Sequence, residues 1–236
     1  MRFYNKFKTG FIVVIGVGCL IYPSKISEDS YITKVDHQQK EEIIEEKKTF
    51  PVQIDEDQLS EALKRDFLSS NQYNRKIQKE VNNFLPFIDW RIVKAQFYQE
   101  SKLDPEAESP VGAKGLAQFM GPTWEEVLGE MNQEGSRTDP HLSIQMGVYY
   151  NSKLWSFWSS PRPHYHRVAY MLGSYNAGAG SLMEAQKACK EHTEDVNCNL
   201  YSPTMSYLHL ITGEHHKETE TYVKNIFNYY VLEKLW

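Results

Sequence analysis

The chain places apolar residues three and four positions apart over most of its length beyond residue 57. This spacing is the period of an amphipathic helix, whereas a half-buried strand would alternate apolar and polar residues. The segments with helical spacing are 58–67, 75–85, 89–102, 167–175, 181–190 and 220–235. Convincing strand patterns are absent, so the sequence predicts a mainly α domain with at most a small hairpin or irregular lobe.

Two further helices are predicted from their start signals. Thr123 is followed three residues later by Glu126, the spacing of a capping box, which predicts that a helix begins at Thr123. Asp139 precedes Pro140, and a proline in the first helical turn costs nothing because its missing N–H would have no partner there. A second helix should therefore begin at this Asp–Pro pair.

Residues 1–22 have the order of an export signal, in which basic residues precede the uncharged run 11–22. The run is shorter than the roughly 20 residues of a membrane-spanning helix. A cleaved signal peptide, a short retained anchor and a lipoprotein signal through Cys19 all stay open, as does a buried core segment. We expect an exported protein, in the periplasm or at the periplasmic face of a membrane, with membrane association through residues 11–22.

The rest of the chain divides into a linker and a domain. Residues 23–56 are polar and rich in charge, which predicts a tether that is partly helical. Residues 57–236 carry the helical pattern and are long enough to bury one medium-sized core. We therefore expect an N-terminal export or anchor segment, a polar linker and one helical domain.

Composition narrows the class of protein. A hydrophobic fraction of 41% and a charged fraction of 24% are typical of a globular chain. The net charge of −5 argues against nucleic-acid binding, which needs a basic face. His164, His166 and the pair His215–His216 lack cysteine or carboxylate partners at ligand spacing. We expect no nucleic-acid partner, no metal and no cofactor, and a monomer.

Two of the three cysteines, Cys189 and Cys198, lie outside the apolar N-terminal run and close a short loop. In an oxidising compartment they could form a disulfide. Two unrelated thiols are the alternative.

Glu100 is the first candidate for chemistry. It follows Val93 and Phe97 at i+7 and i+3, so its carboxyl lies on the apolar stripe of its helix. The helix should end near Asp104, because the following proline disfavours helical geometry there. Partial burial and the negative end of the helix dipole both raise a carboxyl pKa. Such an acid can protonate the leaving oxygen of a glycosidic bond, whereas the alternative is an ordinary surface glutamate.

Two glycine-containing segments carry further candidates. Residues 109–120 contain Gln118, whose amide can both donate and accept hydrogen bonds to a sugar. Residues 173–180 contain Tyr175, which could line a groove, and Asn176, which could hold an N-acetyl group. The second segment is not a dinucleotide-binding fingerprint, because no strand precedes it and its glycine spacing differs.

Four motifs follow one another along the chain. They are the pair Glu100–Ser101, GAKGLAQFM at 112–120, SYNAG at 174–178, and ETETYVKNI, which contains Tyr222. Together they resemble the catalytic domain of lytic transglycosylases of the soluble-lytic-transglycosylase type, relatives of goose-type lysozyme. The similarity covers about residues 72–236.

Two features depart from the pattern of that family. Ala117 stands where many members carry methionine, which changes the expected groove floor. The segment 191–216 has no counterpart in the family, which puts the shape of the groove in doubt but not the chemistry.

The resemblance implies a lysozyme-like α fold with a groove for the alternating GlcNAc and MurNAc of peptidoglycan glycan strands. Glu100 would protonate the bond oxygen and then, as a base, deprotonate the C6 hydroxyl of MurNAc to form a 1,6-anhydro sugar. Ser101 would hydrogen-bond near Glu100 or to substrate, and Gln118 and Asn176 would hold sugar groups. Tyr222 would orient the acid or the N-acetyl group. A substrate-assisted reaction of this kind needs no second catalytic carboxylate.

Two other functions stay open. A muramidase that hydrolyses the same bond would need a second carboxylate, for which Asp104, Glu106 and Glu108 are candidates, or an ordered water. An inactive peptidoglycan-binding or assembly module belongs to a different class, and a neutral residue at position 100 would have favoured it. The presence of Glu100 favours an enzyme.

Overall fold

The computed structural model describes residues 41, 48–53, 59–194 and 196–235. The predicted export or anchor segment at 1–22, with Cys19, and most of the predicted tether at 23–56 lie outside the described residues. Among the helices of the described ranges, none is both long enough and apolar enough to cross a membrane.

The described chain is built from α-helices, one 3-10 turn and loops. The α-helices are α1 (Glu61–Ser69), α2 (Asn74–Phe84), α3 (Trp90–Ser101), α4 (Gly121–Met131), α5 (Pro140–Phe157), α6 (His164–Ala177), α7 (Ala179–His192), α8 (Tyr201–Met205), α9 (His209–Thr212) and α10 (His216–Leu235), and the 3-10 turn is Gly213–His215. Extended pairing in the described part is limited to isolated bridges from Lys114 to Glu108 and to Phe119. The predicted mainly α fold is confirmed.

The helix starts follow the sequence signals in part. Asp139 caps α5, where its carboxylate accepts hydrogen bonds from the backbone N–H groups of His141 and Leu142. The start of α4 was predicted wrongly, because this helix begins at Gly121 and has Met120 as its N-cap residue. Pro122 lies in the first turn, where a missing N–H is tolerated, and this allows the helix to begin before Thr123.

Helix α3 lies at the centre of the domain. It packs against α2 and α10, and α10 also packs against α6. The side chains of Val93, Phe97 and Tyr98 on α3 are fully buried, as are those of Ile226 and Phe227 on α10. Glu100 therefore lies on a helix whose position is fixed on several sides by packing in the core.

A buried ion pair joins the same two helices. Lys94 of α3 is 0% exposed, and its Nζ lies 2.8 Å and 3.0 Å from the two carboxylate oxygens of Glu233 on α10. The same ammonium group donates to Asn71 Oδ1 at 3.1 Å and lies 4.7 Å from the centre of the Phe67 ring. All of these contacts depend on α3 and α10 keeping one relative position.

Residues 48–53 also contact the helical domain, although the sequence assigns them to the tether. The ring of Phe50 is 9% exposed and lies 4.5 Å from the ring of Tyr165 and 4.8 Å from that of Phe227. The Ser202 hydroxyl donates to the Pro51 carbonyl. The packed part of the chain thus includes residues on the N-terminal side of position 57.

A disulfide joins Cys189, near the end of α7, to Cys198, with Cα atoms 5.8 Å apart. The described residues of segment 191–216, all but residue 195, form the end of α7, the loop with Cys198, α8, α9, the 3-10 turn and the first residue of α10. The Cys198 carbonyl accepts hydrogen bonds from Gln186 at 2.8 Å and Thr204 at 3.0 Å. The segment is thus an ordered lobe that leads directly into α10.

Candidate active site

Glu100 lies in the last turn of α3, and the chain reverses immediately after it. The helix ends at Ser101, and Lys102 caps it in the left-handed conformation with φ 57°. Leu103 also has a positive φ of 61°, so two successive non-glycine residues adopt the left-handed conformation in this turn. The predicted end of the helix before Asp104 is confirmed. The turn leaves the Glu100 carboxyl at the edge of the core, half-buried, facing α10.

Tyr222 of α10 is the direct partner of Glu100. Its hydroxyl donates to Glu100 Oε1 at 2.5 Å, across a sequence separation of 122 residues. The Tyr222 side chain is 6% exposed, and its burial and the neighbouring Glu100 carboxylate hold its pKa well above the usual range. Tyr222 therefore stays protonated and remains a donor throughout the neutral pH range.

Burial raises the pKa of Glu100 to about 7. The hydrogen bond from Tyr222 acts in the opposite direction because it favours the charged form, and the negative charge of Glu218 raises the pKa further. A carboxyl group with this pKa is populated in both protonation states at neutral pH. It can therefore give up a proton and take one back in a single reaction cycle.

A cavity of about 430 Å³ opens in front of Glu100. Its lining comes from the end of α3, the end of α6 and the first two turns of α10: Gln99, Glu100, Asn176, Lys217, Glu218, Thr221 and Tyr222. The lining side chains are all polar, and three of them carry charge. Such a surface suits a hydrophilic ligand such as a sugar better than an apolar one.

Asn176 enters this cavity with a fixed orientation. Its Oδ1 accepts a hydrogen bond of 2.7 Å from the hydroxyl of Thr219, which is 2% exposed. Because the oxygen is held on the protein side, the amide hydrogens on Nδ2 are the groups that can donate to a ligand carbonyl.

The segment 107–119 wraps around the end of α3 and is held by backbone contacts. Gly115 has φ +78°, and a Cβ at this position would lie 1.9 Å from the Arg137 carbonyl oxygen, so no other residue fits. The Arg137 guanidinium in turn donates to the carbonyls of Gly112 and Phe119, each at 2.9 Å. The backbone at Gly115 thus passes close to the loop that precedes α5.

Three of the predicted site residues use their polar atoms inside the protein. The Ser101 hydroxyl, 8% exposed, lies 3.0 Å from the Leu116 carbonyl, to which it can donate. Gln118 Nε2 donates to the Gly115 carbonyl at 2.9 Å. The Tyr175 hydroxyl donates to the Ala117 carbonyl at 2.7 Å. These contacts fix segment 107–119 against α3 and α6 and do not line the cavity at Glu100.

The structure thus brings together Glu100, Asn176 and Tyr222 of the predicted set. Sequence reasoning missed Glu218, the second carboxylate of the cavity, although it stands four residues before Tyr222 and so on the same helical face. The three acidic residues after α3, proposed as second carboxylates, do not line this cavity: Asp104 accepts from the Glu106 N–H, and Glu108 pairs with Lys114.

Metal ligands do not cluster in the described part of the chain, where no group of three or more His, Cys, Asp or Glu residues could hold an ion. His166, one of the histidines considered above, accepts a hydrogen bond of 2.9 Å from the Tyr201 N–H through Nδ1. His166 thus has a structural contact that links α6 to α8.

Comparison with known proteins agrees with the motifs. Residues 85–197 match the family model described as "Transglycosylase SLT domain". Among curated proteins, a membrane-bound lytic murein transglycosylase F of Vibrio vulnificus is 27% identical over 183 residues, which are 70% of this chain and 33% of that protein. The protein of the same name from Shewanella halifaxensis is 34% identical over 136 residues, 58% of this chain and 27% of that protein. The chain therefore spans about a third or less of the length of these relatives.

Solved structures show the same fold. The 70 kDa soluble lytic transglycosylase of Escherichia coli superposes with a TM-score of 0.54 at 23% identity, over 69% of this chain and 24% of that one. An inactive mutant of the lytic transglycosylase Slt of Pseudomonas aeruginosa gives a TM-score of 0.52 at 24% identity, over 68% of this chain and 24% of that one. A complex of the 70 kDa enzyme with bulgecin A gives a TM-score of 0.53 at 23% identity, over 68% of this chain and 24% of that one.

Proposed function

We propose that the protein is a peptidoglycan lytic transglycosylase, because residues 85–197 match the family model of the transglycosylase SLT domain. Its substrate would be the β-1,4 bond from MurNAc to GlcNAc in glycan strands. One observation carries the proposal: the Glu100 carboxyl, with its pKa raised to about 7, faces a polar cavity and accepts a hydrogen bond from Tyr222.

In the proposed first step, protonated Glu100 gives its proton to the glycosidic oxygen as the bond to the MurNAc anomeric carbon breaks. The N-acetyl oxygen of MurNAc stabilises the positive charge that develops at that carbon. The Nδ2 hydrogens of Asn176 can hold the sugar on this side, because Thr219 occupies the amide oxygen. Tyr222 stabilises the carboxylate that Glu100 has become.

In the second step, the Glu100 carboxylate takes the proton from the C6 hydroxyl of the same MurNAc. The C6 oxygen then bonds to the anomeric carbon, which forms the 1,6-anhydro ring without consuming water. Glu100 ends the cycle protonated again. A pKa near 7 suits a group that acts first as an acid and then as a base, because neither protonation state is strongly disfavoured.

A hydrolytic muramidase is the second candidate function, and one observation favours it. Glu218 lines the same cavity as Glu100, so a second carboxylate is present where a water molecule could be activated. Its side chain is 68% exposed, unlike that of a general base held in a dry site. For this reason we place the transglycosylase reaction first. A binding module without activity has less support, because binding alone does not need a carboxyl with a raised pKa.

We also propose that the protein acts outside the cytoplasm. The order of charges in residues 1–22 supports export, and the substrate class lies in that compartment. The curated relatives carry the words "membrane-bound" in their names. A reporter enzyme fused after residue 53 should be active only when it is of a type that folds outside the cytoplasm. A cytoplasmic reporter signal alone would contradict export.

The test of the function is mass spectrometry of the products released from purified sacculi by the full-length protein. A transglycosylase releases muropeptides whose MurNAc ends are one water lighter than hydrolysis products. Ordinary reducing ends would show a muramidase, and Glu218→Gln would then be the next variant. Glu100→Gln should release nothing, and bulgecin A, bound by one of the structural neighbours, should inhibit. A folded wild-type protein that releases no product would contradict both enzyme readings.

A further inference from the structure

Helix α1 contacts α3 beside the turn that carries Glu100. Asp66 of α1 accepts a hydrogen bond of 2.5 Å from the Tyr98 hydroxyl, across a sequence separation of 32 residues. Tyr98 is 0% exposed and lies two residues before Glu100 on α3. Because α1 precedes residues 85–197, which match the family model, the likeness to that family assigns no role to Asp66.

The Tyr98 ring in turn holds the residue that ends α3. The Nζ atom of Lys102, the C-cap residue, lies 4.3 Å from the centre of the Tyr98 ring and 3.4 Å from the Tyr229 hydroxyl oxygen on α10. A cation over the face of an aromatic ring is attracted to it. Burial lowers the pKa of Lys102, and the negative charge of Asp66 acts in the opposite direction, so it favours the charged ammonium group.

The turn after Glu100 depends on contacts of this kind. Lys102 and Leu103 both have the left-handed conformation, which is unfavourable for residues other than glycine. Such a conformation persists only where the surrounding structure holds it. The contacts of the Lys102 side chain with Tyr98 and Tyr229 therefore help to fix the backbone at the end of α3.

Three aromatic rings join α1, α3 and α10 at the same place. The centre of the Phe67 ring lies 4.9 Å from the centres of the Tyr98 and Tyr229 rings, which are 5.1 Å apart. Phe67 is 0% exposed and Tyr229 is 2% exposed. Tyr229 follows Tyr222 by seven residues, so both tyrosines lie on the face of α10 that meets α3. The rings thus fix α3 against α10 two helical turns from the hydrogen bond between Tyr222 and Glu100.

Glu100 points away from this cluster but moves with it. Tyr98 and Lys102 are four residues apart and share one face of the helix end, whereas Glu100, two residues from each, faces another side. A rotation of the last turn of α3 would therefore move the Glu100 carboxyl relative to the Tyr222 hydroxyl, which lies 2.5 Å from it. A displacement of about 1 Å is enough to break a hydrogen bond of this length.

We propose that Asp66 is a positioning residue, which holds the end of α3 through Tyr98 and so keeps the Glu100 carboxyl against the Tyr222 hydroxyl. Asp66 does not line the cavity at Glu100 and acts through Tyr98. This inference rests on the proposed function for its kinetic consequence only, because its effect on the hydrogen bond to Glu100 can be measured without any reaction.

Two variants remove the hydrogen bond from its two sides. Asp66→Ala removes the acceptor from an exposed position of α1, where alanine favours the helix and the fold should persist. Tyr98→Phe removes the donor and leaves no buried polar group without a partner, because Asp66 is exposed. Asp66→Asn is the conservative variant, since its amide oxygen can still accept from Tyr98.

The matched control is Thr204→Val. Thr204 lies in the lobe of residues 191–216, and its hydroxyl is 2.5 Å from the hydroxyl of another buried tyrosine, Tyr170. The control therefore also takes one hydrogen bond from a buried tyrosine, but it leaves α1 and the end of α3 unchanged. Circular dichroism spectra like that of wild type show that each variant is folded.

The first readout is the titration of Glu100, followed by NMR in full-length protein labelled with ¹³C at glutamate carboxyl carbons, with Glu100→Gln used for assignment. Asp66→Ala should titrate about half a pH unit or more above wild type, because a weaker hydrogen bond from Tyr222 favours the charged form less. Tyr98→Phe should shift the titration in the same direction, and the two changes together should shift it no further. Asp66→Asn and Thr204→Val should titrate as wild type does.

An unchanged titration in either folded variant, Asp66→Ala or Tyr98→Phe, overturns the proposal, whatever reaction the protein performs. An equal shift in Thr204→Val also overturns it, because the loss of any buried hydrogen bond would then explain the effect. A shift in Asp66→Asn as large as that in Asp66→Ala contradicts it too, since the acceptor for Tyr98 is retained in that variant.

The second readout is the release of soluble product from sacculi. We expect kcat of Asp66→Ala to fall about tenfold with KM nearly unchanged, because the acid is misplaced while the cavity lining stays intact. The high-pH limb of the pH profile should move to higher pH, and Asp66→Asn should keep kcat within about twofold of wild type. In a Tyr222→Phe background, Asp66→Ala should have no further effect on kcat.

A fall in kcat of equal size in both backgrounds, or no fall at all, would show a structural role only and overturn the proposal. If wild type releases no product, the proposed function fails, and the titration of Glu100 still decides this inference.

Discussion

Replacing Glu100 by glutamine separates the charge of this side chain from its shape. The amide oxygen of glutamine can still accept the hydrogen bond from Tyr222, so the packing around position 100 should persist. What disappears is the cost of carrying a negative charge in a half-buried site near Glu218. The variant should therefore be more stable than wild type, but only at a pH where the wild-type carboxyl ionises.

The sign and size follow from the pKa values of the two states. In the unfolded chain Glu100 titrates near its usual 4.5, and in the folded protein near 7. Below pH 4.5 both states are protonated and Glu100 costs nothing. As the pH rises from 4.5 through 7, the unfolded state releases its proton first, and folding stability falls. The full difference corresponds to about 3.4 kcal/mol, or about 2 kcal/mol after allowance for partial exposure.

The assay is urea unfolding of both proteins at pH 4 and pH 8, followed by circular dichroism. Other titrating groups are the same in both proteins and cancel in the difference. We expect the two free energies of unfolding to agree at pH 4, and Glu100→Gln to be more stable by about 2 kcal/mol at pH 8. A difference that does not depend on pH, or a less stable variant at pH 8, would refute the raised pKa.

Three further predictions concern stability. Lys94→Met should lower the free energy of unfolding by about 3–5 kcal/mol, because it leaves the carboxylate of the buried ion pair alone. Gly115→Ala should cost about 3 kcal/mol or more, since its Cβ would overlap a carbonyl oxygen, whereas Gly129→Ala on the open surface of α4 should stabilise by about 0.5–1 kcal/mol. The double change Cys189→Ser and Cys198→Ser should destabilise by about 2.5 kcal/mol.

The predictions for Gly115 and for the disulfide each have an outcome that would contradict them. Urea midpoints measure the first two, and an equal effect of Gly115→Ala and Gly129→Ala would contradict the close approach at Gly115. For the disulfide, thiol labelling of denatured, unreduced protein should leave Cys189 and Cys198 unmodified. Labelling of either cysteine there would contradict the pairing.

The helices could be predicted from sequence where one face is apolar. The spacing of Val93 and Phe97 placed α3, Pro105 indicated where it ends, and Asp139 with Pro140 marked the start of α5. The start of α4 could not be placed in this way, because Thr123 has the pattern of a capping residue but not the position. Local patterns describe which residues can cap a helix, and the chain path before it decides which one does.

The candidate site was predicted in part for a related reason. Glu100, Asn176 and Tyr222 were predicted because each lies in one of the four motifs that resemble the family. Glu218 was not, because an acidic residue on an exposed helix face carries no sign in the sequence of the cavity that it lines.

The hydrogen bond from Tyr222 to Glu100 joins residues that are 122 positions apart in the sequence. In the unfolded chain Glu100 is an ordinary carboxyl that is ionised at neutral pH and has no proton to give. The acidity that the proposed reaction requires of Glu100 is thus a property of the packed fold and not of the residue. A chain that has not yet brought α10 against α3 would lack the protonated carboxyl that the proposed glycan cleavage needs, so the proposed activity would appear only once the chain is correctly folded.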